Sequence, residues 1–518
     1  MSFTTPQPAG RRRSDVPIAA RRRARHLIAA LLFTTVALDS WAQFAPLYDG
    51  ADGATCDYFN RGAQIHWRHR LGDWKDAQGA EQGDASFAHA AVSAADKGRV
   101  VTWNVTALVQ GWLTGKYINA GLVATSRGAQ RGGVAVFHSR EAAGADSRPR
   151  LVLALQDGTT LRLSPSADTT LDCSTAYSLG LKDTISVGTD RVLLMQFDLA
   201  KLEGVRVSTA TLELVTTDKQ FGDNAVAIYR LAPHLPNKSK DTKPQLGLAA
   251  KYPRDQGIQR DPDVIMATGF ESAAWQKDWN VGEIRGEYEQ TGNGGGRDFG
   301  FEPLDGRALQ VLIPAGKNLG LDMRYKFSDK LGNEPEEIYF RYYLRLGHDW
   351  NPVTDGGKLP GITSTYSRVG WGGRKADGMT GWSMRGSFFR LPGPGNPYHA
   401  YTPIGTYAYH ADAEDFWGDA WAWSESGQAL LERDRWYCIE QYVMVNRPGY
   451  KDALIRAWVD GEPVFEHTGF RLRDIPSIKI EQIWMNVYYG GTAPSPQDQH
   501  LFIDNVVIAR RYIGPMKE

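Results

Sequence analysis

The sequence predicts an all-β protein assembled from sandwiches. Short runs of alternating apolar and polar residues dominate, and Gly, Pro, Asn and Asp clusters separate them. Stretches with a helical repeat are scarce, while 55 Gly and 26 Pro supply turns. The aromatic residues are unevenly spread: eleven of the 16 Trp and sixteen of the 22 Tyr lie beyond residue 262. No Trp falls between Trp112 and Trp275, so the two halves are different kinds of domain.

The chain opens with an export signal. Arg21-Arg22-Arg23-Ala24-Arg25 precedes the apolar run Leu27 to Leu38, and Ser40-Trp41-Ala42 supplies a small-x-small cleavage site. Residues 1–42 are therefore expected to be a signal peptide. The run is too short for a permanent anchor, so a secreted or periplasmic protein without a membrane anchor is expected after cleavage.

Residues 43–234 read as a β-sandwich region. Arg150-Leu151-Val152-Leu153-Ala154-Leu155, Arg191 to Asp198 and Ala210-Thr211-Leu212-Glu213-Leu214-Val215 alternate as strands do. Thr106 to Leu113 is the one persuasive helix, with Leu108 and Trp112 on one face and Gly115 as its stop. Three cysteines leave at least one thiol unpaired. Cys56 and Cys173 are the candidate pair, and Cys438, inside an apolar run, reads as a buried thiol. Residues 235–262 are rich in Pro, Lys, Asp and Gln, lack periodicity and read as a linker. Residues 263–518 are then one C-terminal β domain.

Composition and motifs exclude several functions. Lys plus Arg and Asp plus Glu each number 59, and this zero formal charge argues against a nucleic-acid partner. No His-Glu-x-x-His or Cys-x-x-Cys occurs. In Gly381-Trp382-Ser383-Met384-Arg385-Gly386, Arg385 stands where a nucleophile elbow needs its second glycine. Gly292-Asn293-Gly294-Gly295-Gly296 lacks the strand and helix of a nucleotide loop.

The C-terminal strands carry the candidate chemistry. In Glu337 to Leu346, Ile338, Phe340, Tyr342, Leu344 and Leu346 share one face, read as core. Tyr339, Arg341, Tyr343 and Arg345 share the other, a basic and aromatic face suited to an anionic chain. Ser383 and Arg385 share a strand face, as do Tyr407 and Tyr409. Lys358 sits between Gly356-Gly357 and the stiff Leu359-Pro360.

In the N-terminal half, Val101-Thr102-Trp103-Asn104-Val105-Thr106, Asn119-Ala120-Gly121-Leu122 and Phe137-His138-Ser139-Arg140-Glu141 resemble the closing part of a DNRLRE-type carbohydrate-binding module. Ala167-Asp168-Thr169-Thr170-Leu171-Asp172 and Leu193 to Leu199 resemble its opening part, in reversed order. One permuted module or two partial ones both fit.

In the C-terminal half, Phe340-Arg341-Tyr342-Tyr343-Leu344-Arg345, Gly357-Lys358-Leu359-Pro360-Gly361, Gly381-Trp382-Ser383-Met384-Arg385, Tyr407-Ala408-Tyr409-His410, Gly490-Gly491-Thr492 and Phe502-Ile503-Asp504-Asn505 resemble polysaccharide lyase family 14. That resemblance implies a β-jelly roll and cleavage of a uronic-acid polysaccharide, alginate or glucuronan-like, by β-elimination without metal or other cofactor. It implies Lys358, Tyr407 and Tyr409 as catalytic residues, with base and acid unassigned among them, and Ser383 and Arg385 as substrate-binding. The basic face adds Arg341, Tyr343 and Arg345 to the binding set. One departure is a Pro/Gly-rich insert, Leu391 to Gly405, whose Tyr398 and Tyr401 form a weaker alternative pair and which could cap the groove.

The residue types suit elimination. Arg385 can hold a carboxylate bidentately, a lysine or tyrosine can take the C5 proton, and a tyrosine can protonate the departing oxygen. A glycosidase would instead need two carboxylates across a groove, with Glu440 and Glu481 as strand candidates. A non-catalytic polysaccharide-binding or cell-surface protein is the alternative outside enzymes.

Overall fold

The computed structural model describes residues 53–517 except 128–132, 203, 233–243, 281, 283, 294–300, 394, 395, 397, 425 and 426. The expected signal peptide and the first part of the expected linker lie outside the described residues. Among the described residues, no helix is long and apolar enough to cross a membrane.

The N-terminal half is one sandwich. A larger sheet orders Trp74–Lys75, Asn224–Leu231, Leu122–Arg127, Arg191–Gln196, Thr184–Gly188 and Val134–His138. A four-stranded sheet orders Val100–Asn104, Val207–Val215, Arg150–Leu155 and Thr160–Leu163. Strands from before and after residue 160 pair with each other in both sheets, so two separate partial modules are not what forms. The helix forms over Thr106–Leu113, buries Leu108 and Trp112 in the core, and ends before Gly115 at φ 71°. Cys56 and Cys173 are joined in a disulfide, and Cys438 is a buried free thiol.

The C-terminal half is a two-layered jelly roll in which one long sheet curls over a single core. One layer runs Leu319–Lys326, Gln482–Tyr489, Gly357–Ser364, Trp382–Phe388, Thr402–Tyr409 and Asp419–Ala422. The other runs Ala308–Ile313, Gln499–Ala509, Glu337–Leu346, Trp436–Met444, Ala453–Val459 and Glu462–Phe470. Arg285–Thr291 pairs with both layers and joins them. Strand alternation puts Met323, Ile362, Met384, Ile483, Met485 and Val487 of the first layer against Phe340, Tyr342, Leu344, Ile439 and Ile503 of the second. Asp460 and Gly461, at φ 52° and 79°, make the tight turn between the last two strands.

Two expectations are corrected. The described part of the expected linker, residues 244–262, is packed rather than extended. It forms three short 3-10 turns, and Leu248, Ala249 and Ile258 are buried with Val507 and Ala509 of the second layer and Ile513 of the C-terminal tail. The insert Leu391 to Gly405 docks on the N-terminal sandwich, where Tyr398 is buried with Phe59, Ala63 and Ile65. Tyr398 and Tyr401 therefore serve packing between the halves.

Candidate active site

The outer face of the first layer, turned away from the core, gathers the polar residues. Ser383, Arg385 and Ser387 alternate with the core residues Trp382, Met384 and Phe388. Register sets Arg385 opposite Tyr407 and Ser383 opposite Tyr409. On the far side, Asp322 faces Asn486 and Arg324 faces Trp484.

Lys358 reaches this face through a bulge. The register slips between Leu359 and Gly361, around Pro360, which has no N–H for the ladder. The extra residue changes the parity of the strand, so Leu359 and Ile362 both point to the core while Lys358 points outward. Gly357 is needed for closeness: a Cβ there would lie 2.3 Å from the Tyr488 carbonyl oxygen and from the Phe388 ring. The two glycines thus let the strand press between its neighbours, and they do not loosen it.

The resulting cleft holds about 440 Å³ and is lined by Lys358, Arg385, Tyr407, Tyr409, Arg324, Trp371, Trp417, Trp484, Asn486 and Tyr488, among others. The Lys358 Nζ donates to the Gly490 carbonyl at 3.1 Å and sits 4.4 Å from the Tyr407 ring centre. Burial, then the nearby Arg385 guanidinium, pull the Lys358 pKa down to about 8, against a weaker opposing pull from Asp355. Tyr407 is pushed the other way, to about 12, by burial and by its neighbour Tyr409. The Tyr407 and Tyr409 rings meet edge to face at 5.5 Å, and the Tyr409 hydroxyl accepts from the Gly373 N–H at 3.2 Å.

Arg385 is only 4% exposed and is held by neutral acceptors: the Asn486 side-chain oxygen at 3.0 Å and the Gly370 carbonyl at 3.2 Å. Burial lowers its pKa to about 10, partly offset by Tyr409, Tyr407 and Asp322. Its guanidinium lies 4.9 Å from the Trp484 ring centre, and that of Arg324 lies 5.2 Å from the same ring. Trp484 also donates to Asp322 at 2.6 Å. Asp322 is further paired with Arg285 and Arg324.

Not every expected binding residue is here. Ser383 is fully buried and donates to the Gly370 carbonyl at 2.7 Å. It anchors the loop that carries Trp371 and does not line the cleft. Arg341, Tyr343 and Arg345 lie on the other layer and are covered. Arg341 is 0% exposed and pairs with Asp255 from the packed 3-10 turns. The Tyr343 hydroxyl accepts from the Met516 N–H at 2.7 Å. Arg345 stacks on Phe301 at 5.3 Å and reaches Asp434 at 3.5 Å. The anion this face was shaped to meet is the chain's own Asp255.

The glycosidase candidates do not meet either. Glu440 accepts from the Ile513 and Gly514 N–H groups, and Glu481 accepts from Tyr366 N–H, so both are structural. The alternation Trp484-x-Asn486-x-Tyr488, beside Gly490-Gly491, was a legible signal for the part of the cleft that the motif reading left out.

Residues 307–506 match the Polysaccharide lyase 14 family model. The match supports a polysaccharide lyase in the C-terminal half. Residues 50–153 match the Disaggregatase related repeat domain model, so the N-terminal resemblance to a DNRLRE-type module finds no support there. Among solved structures, a marine PL-14 alginate lyase from Aplysia kurodai is similar at 16% identity and a TM-score of 0.36, covering 47% of this chain and 98% of its own. The alginate lyase Aly36B, in a complex with alginate trisaccharide, is similar at 18% identity and a TM-score of 0.34, covering 39% and 81%. An endo-β-1,4-glucuronan lyase from the fungus Trichoderma reesei is similar at 12% identity and a TM-score of 0.30, covering 48% and 95%. No curated protein matches the chain.

Proposed function

We propose that the protein is an exported polysaccharide lyase that cleaves a uronic-acid polymer, alginate or glucuronan-like, by metal-independent β-elimination. One observation carries the reading: Lys358, Arg385, Tyr407 and Tyr409 converge on one outer sheet face, in a cleft walled by Trp371, Trp417 and Trp484. The aromatic walls suit sugar rings, and Arg385 suits the C6 carboxylate because its direct partners are neutral.

The opposite displacements of two neighbouring groups support one allocation of the proton transfers. Lys358, lowered to about 8, is the base: its neutral amine takes the C5 proton of a uronate whose carboxylate is neutralised by Arg385. As the C4=C5 double bond forms, the C4–O4 bond breaks. Tyr407, raised to about 12 and so protonated at working pH, gives its phenolic proton to the departing O4. The Lys358 ammonium and the Tyr407 phenolate then exchange the proton and restore the site. Tyr409 braces Tyr407 and the Gly373 loop.

The test is incubation with alginate and with glucuronan while following ultraviolet absorbance of the 4,5-unsaturated uronate. Absorbance growing with new reducing ends is expected. Reducing ends without absorbance would make the protein a hydrolase, and binding without either would make it a non-catalytic polysaccharide-binding protein.

A further inference from the structure

The Lys358 amine is held by one peptide group. Its Nζ donates to the Gly490 carbonyl at 3.1 Å, and the N–H at the other end of that peptide, Gly491 N–H, donates to Asp355 Oδ2 at 2.9 Å. The ammonium and the carboxylate thus grip opposite ends of the Gly490–Gly491 peptide. A peptide is planar, so fixing its N–H fixes the direction of its carbonyl.

We propose that Asp355 is a positioning residue for Lys358, setting the Gly490–Gly491 peptide so that its carbonyl fixes where the amine stands in the cleft. The inference rests on the lyase reading and deepens it, by naming what holds the base.

Asp355 is itself fixed. Its Oδ1 accepts from Gly356 N–H at 2.8 Å. The hydroxyl of the buried Tyr489 accepts from Thr354 N–H and Asp355 N–H, each at 3.3 Å. Tyr489 directly precedes Gly490, whose own N–H donates to the Gly356 carbonyl at 2.6 Å. The segment 354–356 and the turn 489–491 are therefore laced together at several points. Gly490 is required there: its φ is 72°, and a Cβ would lie 2.3 Å from the Ala493 carbonyl oxygen.

The charges around Lys358 fit this role. Arg385 faces it from the neighbouring strand, with Tyr407 and Tyr409 beyond and Tyr488 on the other side. Arg61 and Arg390 line the adjoining cleft that Lys358 and Tyr407 also border. Among the described residues, the carboxylates lining the two clefts are Asp355 and Asp322, and Asp322 is paired with Arg285 and Arg324. Burial and Arg385 pull the Lys358 pKa down to about 8, and Asp355 pulls it up. Loss of the Asp355 charge should therefore lower it further, so that the neutral amine persists to lower pH.

The experiment titrates Lys358 directly, by competitive acetic anhydride labelling across pH with mass spectrometry of its peptide, beside the pH profile of uronan cleavage. Asp355→Asn should lower the Lys358 pKa by about half a unit or more, and the rising limb of kcat/KM should move down with it. Asp355→Glu, which keeps the charge, should return the limb toward its wild-type pH. Asp355→Ala, which also leaves Gly491 N–H without its acceptor, should cost about tenfold in kcat with KM within about twofold. An unmoved Lys358 pKa in Asp355→Asn, or a loss in Asp355→Ala carried by KM alone, would overturn the proposal. The labelling needs no turnover, so the two readings fail separately. A shifted Lys358 in a chain that cleaves no uronan would leave the Asp355 link standing and overturn the lyase reading. Cleavage by wild type and all three variants alike would do the reverse.

Discussion

Two strand faces of the C-terminal half read alike and behave differently. Tyr339-x-Arg341-x-Tyr343-x-Arg345 on one strand, and Ser383-x-Arg385 with Tyr407-x-Tyr409 on two paired strands, both set basic beside aromatic residues on one sheet face. In the structure the first face is roofed by the turns of residues 248–260 and by the C-terminal tail, and the second opens into a cleft. The arginines show the difference most sharply. Burial would lower the pKa of Arg341, but Asp255 and Tyr343 outweigh it and the net shift is upward. Arg385 is nearly as buried, has no carboxylate in direct hydrogen bond among the described residues, and is lowered. A buried guanidinium paired with its counter-ion is engaged within the fold, and one held only by neutral acceptors leaves its charge uncompensated in direct contact.

The largest effect that would break this comparison is on catalysis. Lys358→Ala should lower kcat by about 10²–10⁴-fold in the ultraviolet assay, the usual worth of a positioned base. Arg385→Lys should cost about tenfold or more in kcat/KM through loss of the two-pronged contact with the carboxylate. Arg341→Ala should instead cost about 3–5 kcal/mol of stability in denaturant unfolding, by leaving Asp255 buried without its partner. The kcat of its folded fraction should stay within about twofold of wild type, roughly 0.4 kcal/mol or less, since Arg341 lies on the other layer and does not line the cleft. If Arg341→Ala stripped turnover without loss of stability, the two faces would have been assigned the wrong way round.

The pH profile sharpens the same contrast. The Lys358 pKa is lowered to about 8, and the neutral amine is the active form, so kcat/KM should rise as pH passes upward through about 8. A profile that falls there instead would make Lys358 a cation that stabilises charge, and would move the base to Tyr407. Smaller still, Ser383→Ala should lower kcat/KM by a few-fold, through a loosened Gly370 loop and a misplaced Trp371, with a stability loss of about 1 kcal/mol. The smallest effect on turnover is Tyr343→Phe, which removes a hydroxyl bonded to Met516 N–H and to the Cys438 thiol and should cost about 1–2 kcal/mol of stability with no change in turnover.

Much of the site was legible for a particular reason. Lys358, Arg385, Tyr407 and Tyr409 sit on strands whose two-residue period assigns a face directly, and four of the expected residues do line one cleft. The same period correctly placed Ile338, Phe340, Tyr342, Leu344 and Leu346 in the core. It could not tell an open outer face from a roofed one, because the roof comes from residues about 90 positions earlier and from the tail. Nor could it show that Ser383 is turned onto the Gly370 carbonyl, or that Trp484, Asn486 and Tyr488 arrive from a strand more than 100 residues away in sequence from Lys358.

By itself, then, the sequence determined the β class and which residues share a strand face. These follow from local alternation and turn chemistry, which depend on neighbours in the chain. The tertiary structure alone decided which face opens into a cleft and which meets Asp255. It also decided that residues 244–262 pack instead of linking, and that Arg61 lines a cleft together with Lys358 and Tyr407. Those outcomes depend on burial and counter-ions supplied by segments far apart in the chain, which no local pattern records.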